Sequence, residues 1–133
     1  MIFRRKRIGV GTRFSHLIAL GACVEFYWGS YIKGLPESDQ IEIGTDLTPG
    51  GYWDCSEEGL INALKDIKKR GVKLGPTSRL IFVMCLGAKV TFPWGSFLQG
   101  NPAENIIEFG KDKAVIGQQT LDVNGLKECI KHL

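Results

Sequence analysis

The feature that most constrains this 133-residue chain is an internal repeat at an offset of 66 residues. The segment from Phe26 to Pro36 returns, with a few substitutions, as the segment from Phe92 to Pro102. When the chain is shifted by 66 residues without a gap, 21 of 67 aligned pairs are identical. Chance would match about one pair in fifteen. The sequence therefore predicts a tandem duplication, in which a single domain over 1–133 consists of repeat 1 (1–66) and repeat 2 (67–133).

Each repeat contains an alternating apolar pattern that is typical of a β-strand. The positions that stay apolar in both repeats are spaced two apart, so one face of the strand is expected to be buried. A glycine at the same place in both repeats predicts a bulge or bend in this long strand. The alternating pairs are Ile18/Met84, Leu20/Leu86, Ala22/Ala88, Val24/Val90 and Phe26/Phe92, and the glycines are Gly21/Gly87. Further strands are expected near 7–10, 31–32 and 40–43 in repeat 1 and near 73–74, 97–98 and 105–109 in repeat 2.

Each repeat ends in a predicted helix. Ser56 and Asp122 occupy equivalent positions, and both are favoured N-cap residues. Apolar residues follow each of them at spacings of three and four, which gives the helix one apolar stripe. Gly59 and Gly125 would weaken the first turn of these helices, so their presence in both repeats indicates close packing of the backbone. Gly71 is expected to end the first helix.

Together these elements predict an α+β protein in which each unit of about 66 residues has the order β-β-β-β-α. One such unit alone can bury little apolar surface. The two units are therefore expected to pack with pseudo-two-fold symmetry, as one or more antiparallel sheets covered by two helices.

The N-terminal segment combines basic residues with an apolar stretch, a pattern that also occurs in secretion signals. The repeat argues against a cleaved leader, because Leu17 to Val24 corresponds to Val83 to Val90 in the middle of the chain. The sequence holds no apolar run long enough to predict a membrane span. A cytoplasmic location is the expectation, with the four cysteines as free thiols.

Basic residues recur near the start of both repeats, although the net charge of the chain is only +3. Packing about a two-fold axis would turn these residues into paired basic patches, suited to a phosphate backbone or to an acidic protein. The aligned basic pairs are Arg4/Arg70, Arg7/Lys73 and Arg13/Arg79, and Lys69 lies beside the first of them.

Two Trp-Gly-Ser turns add aromatic candidates at Trp28 and Trp94. Their rings could present flat faces to bases or to a partner, or they could be core aromatics beside an obligatory glycine turn. The candidate binding residues are thus Arg4, Arg7, Arg13, Trp28, Lys69, Arg70, Lys73, Arg79 and Trp94.

No catalytic or metal-binding signature is found in the sequence. The cysteines form no C-x-x-C pair, the two histidines are not repeated, and no glycine-rich phosphate loop is present. The repeated carboxylates Glu42/Glu108 and Asp46/Asp112 are more typical of arginine partners or turn caps than of an acid–base pair. The chain is therefore expected not to be an enzyme and to need no cofactor or metal.

The favoured interpretation is a non-enzymatic binding protein for single-stranded nucleic acid, with basic residues on phosphates and aromatic faces on bases. The doubled order of four strands and a helix is similar in outline to the Pur-type and Whirly-type nucleic-acid-binding proteins. That resemblance covers the whole chain in architecture only, and it transfers no site residue.

Two alternatives remain open. One is a protein-interaction or inhibitor module, of phage or host-factor type, that acts through its two-fold surface or forms a homo-oligomer through its sheet edges. The other is a small-ligand binder or enzyme with a pocket between the repeats, near Trp28 and Trp94.

Overall fold

A computed structural model describes residues 8–68 and 71–133 of the chain. Four of the candidate binding residues, Arg4, Arg7, Lys69 and Arg70, lie outside the described residues. The described part is an α+β fold with one eight-stranded sheet. Its elements are α1 (Phe14–Ala19), β1 (Cys23–Glu25), β2 (Ser30–Leu35), a short 3-10 helix (Pro36–Ser38), β3 (Gln40–Thr45), β4 (Thr48–Asp54), α2 (Glu57–Asp66), α3 (Leu80–Cys85), β5 (Lys89–Thr91), β6 (Ser96–Asn101), β7 (Ile106–Lys111), β8 (Ala114–Thr120) and α4 (Val123–Ile130).

The sheet is antiparallel throughout, with the strand order β4-β3-β2-β1-β5-β6-β7-β8. Its two halves meet where β1 pairs with β5, in a register that sets Val24 opposite Val90. Just outside the sheet, Arg13 and Arg79 form an isolated antiparallel bridge between the two halves. Strands β4 and β8 are therefore the two edges of the sheet.

All four helices lie on one face of this sheet. Helices α2 and α4 pack on the outer strands, while α1 packs on β2 and α3 on β6. Their apolar side chains join the alternate strand residues Val24, Ile32, Val90 and Leu98 in a single buried cluster. No helix in the described ranges is long and apolar enough to cross a bilayer.

The predicted terminal helices are confirmed, and so are the reasons for their starting points. The side chain of Ser56 accepts a hydrogen bond from the N–H of Gly59, and Asp122 does the same for Gly125. A Cβ on Gly59 would lie 1.8 Å from the carbonyl oxygen of Asp54, so the first turn packs directly against the preceding strand. Helix α2 ends at Asp66 with Ile67 as its C-cap, so the prediction that Gly71 ends it is wrong.

The long strand predicted from the alternating pattern is wrong over its first half. Residues 14–19 and 80–85 are helices, and the strands that follow them have only three residues each. The buried residues of the first helix, Phe14, Leu17 and Ile18, are spaced three and four apart, which is the period of a helix. Gly21, with a φ of +90°, lies in the turn between helix and strand rather than in a bulge.

Two further strand assignments also need correction. The described residues near 8–10 and 73–74 form no strand, whereas β4 and β8 were not predicted. Both missed strands are edges with mostly exposed side chains, so they lack the apolar alternation that marks a half-buried strand. The prediction of four strands per repeat has the right number, but one of the four lies at the other end of the repeat.

Glycine allows the inner helices to lie directly on the sheet. A Cβ on Gly34 in β2 would lie 1.8 Å from the carbonyl oxygen of Ile18 in α1. At the corresponding place in the second half, a Cβ on Gly100 would lie 1.9 Å from the carbonyl oxygen of Met84. Since both obstacles are backbone atoms, an added methyl group would force helix and strand apart.

We therefore expect Gly34→Ala to lower the free energy of unfolding by about 3 kcal/mol, as overpacking does in a tightly packed core. Urea unfolding monitored by circular dichroism measures this change. Gly75→Ala is the matched control, because a Cβ at that position meets nothing within 4 Å. Equal stability of the two variants would show that α1 does not need this close approach.

Candidate functional site

Arg13 and Arg79 lie next to each other at the junction of the two halves. Each is the N-cap residue of a short helix, and their backbones form an antiparallel bridge. The junction is fixed by hydrogen bonds in both directions, from the N–H of Phe14 to the oxygen of Ser78 (2.7 Å) and from the N–H of Leu80 to the oxygen of Thr12 (2.9 Å). Both arginines are exposed, so two guanidinium groups share one patch of surface.

A groove with three lysines lies beside this junction. It has a volume of about 480 Å³ and is formed by the end of α2 together with the segment that leads to α3. Lys65 belongs to the last turn of α2, Lys68 follows the helix, and Lys73 lies across from them on the connecting segment. Thr77 and Ser78 continue the lining toward Arg79. We call the surface formed by these residues the lysine groove; its described lining is Ile61, Leu64, Lys65, Lys68 and residues 73–78.

The charge of the lysine groove is of one sign. The residues that line it include no carboxylate, and its three lysines are exposed. The nearby carboxylate of Asp66 accepts a hydrogen bond from the indole N–H of Trp53 at 2.9 Å. Within residues 8–68 and 71–133 the ion pair found is Lys131 with Glu128, far along the chain on α4. An anion entering the groove would therefore meet three lysines that form no ion pair within the described residues, with the carboxylate of Asp66 nearby.

Trp28 borders the lysine groove, whereas Trp94 belongs to the other half of the molecule. Trp28 lines a small cavity together with Leu64, Lys68 and Leu74, which are also lining residues of the groove. Each tryptophan is half-buried and stacked on a phenylalanine, Phe26 at 4.6 Å and Phe92 at 5.0 Å between ring centroids.

The tryptophans are packed chiefly as core aromatics. The indole nitrogens of Trp28 and Trp94 are both buried, and that of Trp94 has no hydrogen-bond acceptor among the described residues. Tyr27 is 64% exposed and lies edge-on to Trp28 at 5.1 Å. It lines a separate cleft with Cys85, Gly87 and Asn101 and is not among the residues that line the lysine groove.

The sheet face opposite the helices has a different character. Glu25, Lys33, Glu42 and Lys89 project from it, so positive and negative charges alternate across the strands. Its aromatic residues Tyr31 and Phe97 are only 3% and 2% exposed. Because these rings are covered and the charges are mixed, this face offers neither a stacking platform nor a basic track.

Tyr31 is buried because its ring covers a glycine in the neighbouring strand. A Cβ on Gly44 would lie 2.6 Å from the ring, and Phe97 covers Gly110 in the same way. The phenol of Tyr31 donates a hydrogen bond of 2.6 Å to Glu42. Burial, and then the bond to Glu42 and its charge, raises the pKa of Tyr31 well above its usual value.

The other candidate groups are arranged for structure rather than for catalysis. Glu42 is bonded to Tyr31, and Asp46 and Asp112 lie beside the turns at Gly29 and Gly95. No ion pair links Arg13 or Arg79 to a carboxylate in the described part of the chain. A search of the same residues finds no group of three or more His, Cys, Asp or Glu side chains that could hold a metal ion.

The cysteines are free thiols of unequal environment. Burial raises the pKa of Cys23 to about 11, with the charge of Glu25 as a second cause, and burial raises the pKa of Cys129 to about 11 as well. Such thiols stay protonated at neutral pH and are poor nucleophiles. Cys85 is exposed, and it lies in α3 away from both histidines in the sequence.

Sequence reasoning found part of the basic surface and missed the rest. The alignment of the repeats identified Arg13, Lys73 and Arg79, which the fold brings to one side of the molecule. It counted Lys68 among the basic residues near the start of repeat 2 without assigning it to a site, and it did not single out Lys65, because these lysines join Lys73 only where the end of α2 meets the connecting segment. No family model, curated protein or solved structure significantly matches the chain.

The titration of Tyr31 gives a testable pH dependence. In the unfolded chain a tyrosine ionises near pH 10, whereas in the folded chain Tyr31 keeps its proton to higher pH. Its contribution to stability is therefore complete below about pH 10 and is lost as the pH rises through the folded pKa.

We expect Tyr31→Phe to lower the free energy of unfolding at neutral pH by about 1 kcal/mol, because one hydrogen bond is lost. Above pH 10 the difference in the free energy of unfolding between the two proteins should decrease. Urea unfolding at pH 7 and near pH 11 measures both effects. Parallel loss of stability in variant and wild type would contradict the assignment to Tyr31.

Proposed function

We propose that this chain is a non-enzymatic binding protein that holds the phosphate backbone of a single-stranded nucleic acid in the lysine groove. The observation that carries the proposal is the set of three exposed lysines, Lys65, Lys68 and Lys73, in a groove without a lining carboxylate. Lysine side chains bind phosphates as flexible point charges, and each contact releases a condensed counterion.

The two junction arginines extend the proposed track. Ser78 lines the groove and is followed directly by Arg79, whose backbone is bridged to Arg13. A strand leaving the groove at Ser78 would therefore pass two guanidinium groups, which suit phosphate oxygens.

We also propose that the chain arose by duplication of one unit and that its halves are related by a pseudo-two-fold axis. The supporting observations are the repeat of 21 identical pairs, the same order of helices and strands in both halves, and the pairing of equivalent residues at Val24/Val90 and Arg13/Arg79. The glycine contacts at Gly34 and Gly100 also correspond.

The duplication need not give two equal grooves. The counterpart of Lys65 is Lys131, which is paired with Glu128 at 3.0 Å, and the residue aligned with Lys68 is Ile2, which has no charge. The counterpart of Lys73 is Arg7, which lies outside the described residues. The proposed phosphate track is therefore assigned to the first half and the junction, and the cytoplasmic location expected from the sequence stays a prediction.

A second candidate is a module that binds an acidic protein segment through the same basic surface. Two exposed sheet edges, β4 and β8, favour this alternative because a partner strand can pair with an edge. A small-ligand pocket between the halves is less well supported, since the cavity lined by Trp28 is bounded by α2 and the connecting segment and does not include Trp94.

Binding to a fluorescent mixed-sequence oligonucleotide of about 15 nucleotides tests the proposal. We expect anisotropy titrations to show an affinity that falls steeply between about 50 mM and 200 mM salt. The double variant Lys68→Gln/Lys73→Gln should lower the slope of log affinity against log salt by about 1.4, which corresponds to two lost phosphate contacts.

The matched control is Lys127→Gln/Lys131→Gln, which removes the same charge from α4. It should keep the wild-type slope. Absence of binding at low salt, or the same change in both double variants, would overturn the proposal.

A further inference from the structure

The edge strand β8 differs from the opposite edge β4 in a way that points to a use. Along β8, from Ala114 to Thr120, no side chain is charged and no proline occurs. Val115 and Ile116 are 56% and 62% exposed on this strand. An exposed, uncharged edge of seven residues is open to pairing with another strand, a hazard that proteins usually block.

The backbone of β8 is free to extend the sheet. The N–H of Leu121 donates to the carbonyl oxygen of Asn105 at 2.9 Å, in the same register as the β7–β8 pairing. Because hydrogen-bonded and non-hydrogen-bonded pairs alternate in an antiparallel ladder, Gln119 and Gly117 bond inward to β7. The N–H and carbonyl groups of Gln118 and the N–H of Thr120 are then directed outward, whereas the carbonyl oxygen of Thr120 accepts a hydrogen bond from the N–H of Asp122 at 2.9 Å.

The charges at the two ends of β8 identify the partner that fits. Lys111, Asp112 and Lys113 precede the strand, so this end has two positive charges and one negative charge, and Asp122 follows the strand. If two copies of β8 pair antiparallel about a two-fold axis near their centre, the lysine end of each strand lies beside the aspartate end of the other. This gives two opposite-charge contacts, whereas parallel pairing would place lysine beside lysine.

The other edge is unsuited to the same contact. Strand β4 contains Pro49, which has no N–H to donate, and it is flanked by Asp46 and ends at Asp54. No lysine or arginine lies between these two aspartates. Antiparallel pairing of two β4 strands would bring carboxylates together at both ends, so this edge is blocked against self-association.

We infer that the chain forms a homodimer in which two β8 edges pair antiparallel and continue the two sheets into one. The contact is isologous, so it closes on itself and leaves the blocked β4 edges at the outer ends. It removes Ile116 from water, together with its copy in the partner. The inference does not depend on the lysine groove. Dimerisation leaves that groove accessible in each subunit, because α2 packs on β3 and β4, at the opposite end of the sheet from β8.

Light scattering coupled to gel filtration tests the inference on the full chain. The wild-type mass should rise with concentration from the chain mass of 14.7 kDa toward twice that value. Ile116→Lys places two like charges near the two-fold axis and should weaken the dimer at least tenfold. The matched control is Gly50→Lys at the equivalent place in β4, where a Cβ has no neighbour closer than 3.7 Å, and it should dimerise as the wild type does.

Hydrogen exchange of the wild type supplies a second measurement that needs no variant. At high concentration the amides of Gln118 and Thr120 should exchange more slowly than at low concentration, and those of Tyr52 and Asp54 should not change. Lys113→Glu lies outside the strand and should weaken the dimer without affecting the fold. A wild type that stays monomeric at several hundred micromolar, or concentration-dependent protection of β4 instead of β8, would overturn the inference.

Discussion

The close approach of α1 and α3 to the sheet is the contact on which the rest of the structure depends. It is possible only because Gly34 and Gly100 have no side chain to separate a strand from the backbone of Ile18 and Met84. With the inner helices held in this way, their N-terminal residues Arg13 and Arg79 meet at the junction. The outer helices then fill the remaining apolar surface near the edges.

This arrangement also determines where binding groups can lie. The helix-covered face is filled by apolar side chains, and the opposite face mixes charges of both signs. The surface that remains for a ligand of one charge is the rim, where α2 ends and the connecting segment crosses to α3. Lys65 lies in the last turn of α2 and Lys73 lies in the connecting segment, yet both line the same groove.

Sequence reasoning predicted the elements whose side chains alternate between core and solvent. The first part of β3 is of this kind, since Ile41 and Ile43 are buried while Gln40 is exposed and Glu42 is half-buried. It failed at α1, because a run containing Leu17, Ile18 and Leu20 satisfies both a period of two and a period near 3.6. The edge strands escaped prediction because no face of them is well buried.

For the candidate site, too, sequence reasoning predicted some of the residues and missed others. Repeat alignment could find Arg13 and Arg79 because equivalent positions meet at the junction. It could not place Lys68 in a groove, because the groove forms where the end of α2 meets a segment several residues later in the chain. Nor could it decide how Trp28 is packed, because stacking on Phe26 depends on the tertiary structure.

The three-residue seam between β1 and β5 has a consequence for how the chain holds together. A half released from its neighbour would expose β1 as an open strand, with Val24 at the centre of the seam uncovered. Covalent connection through a short segment replaces an encounter between separate molecules by an intramolecular one, at an effective concentration in the millimolar range. A seam of three residue pairs, together with the junction hydrogen bonds and the shared apolar cluster, can therefore suffice in one chain. Two separate pieces would need more extensive strand pairing to stay associated in a dilute solution.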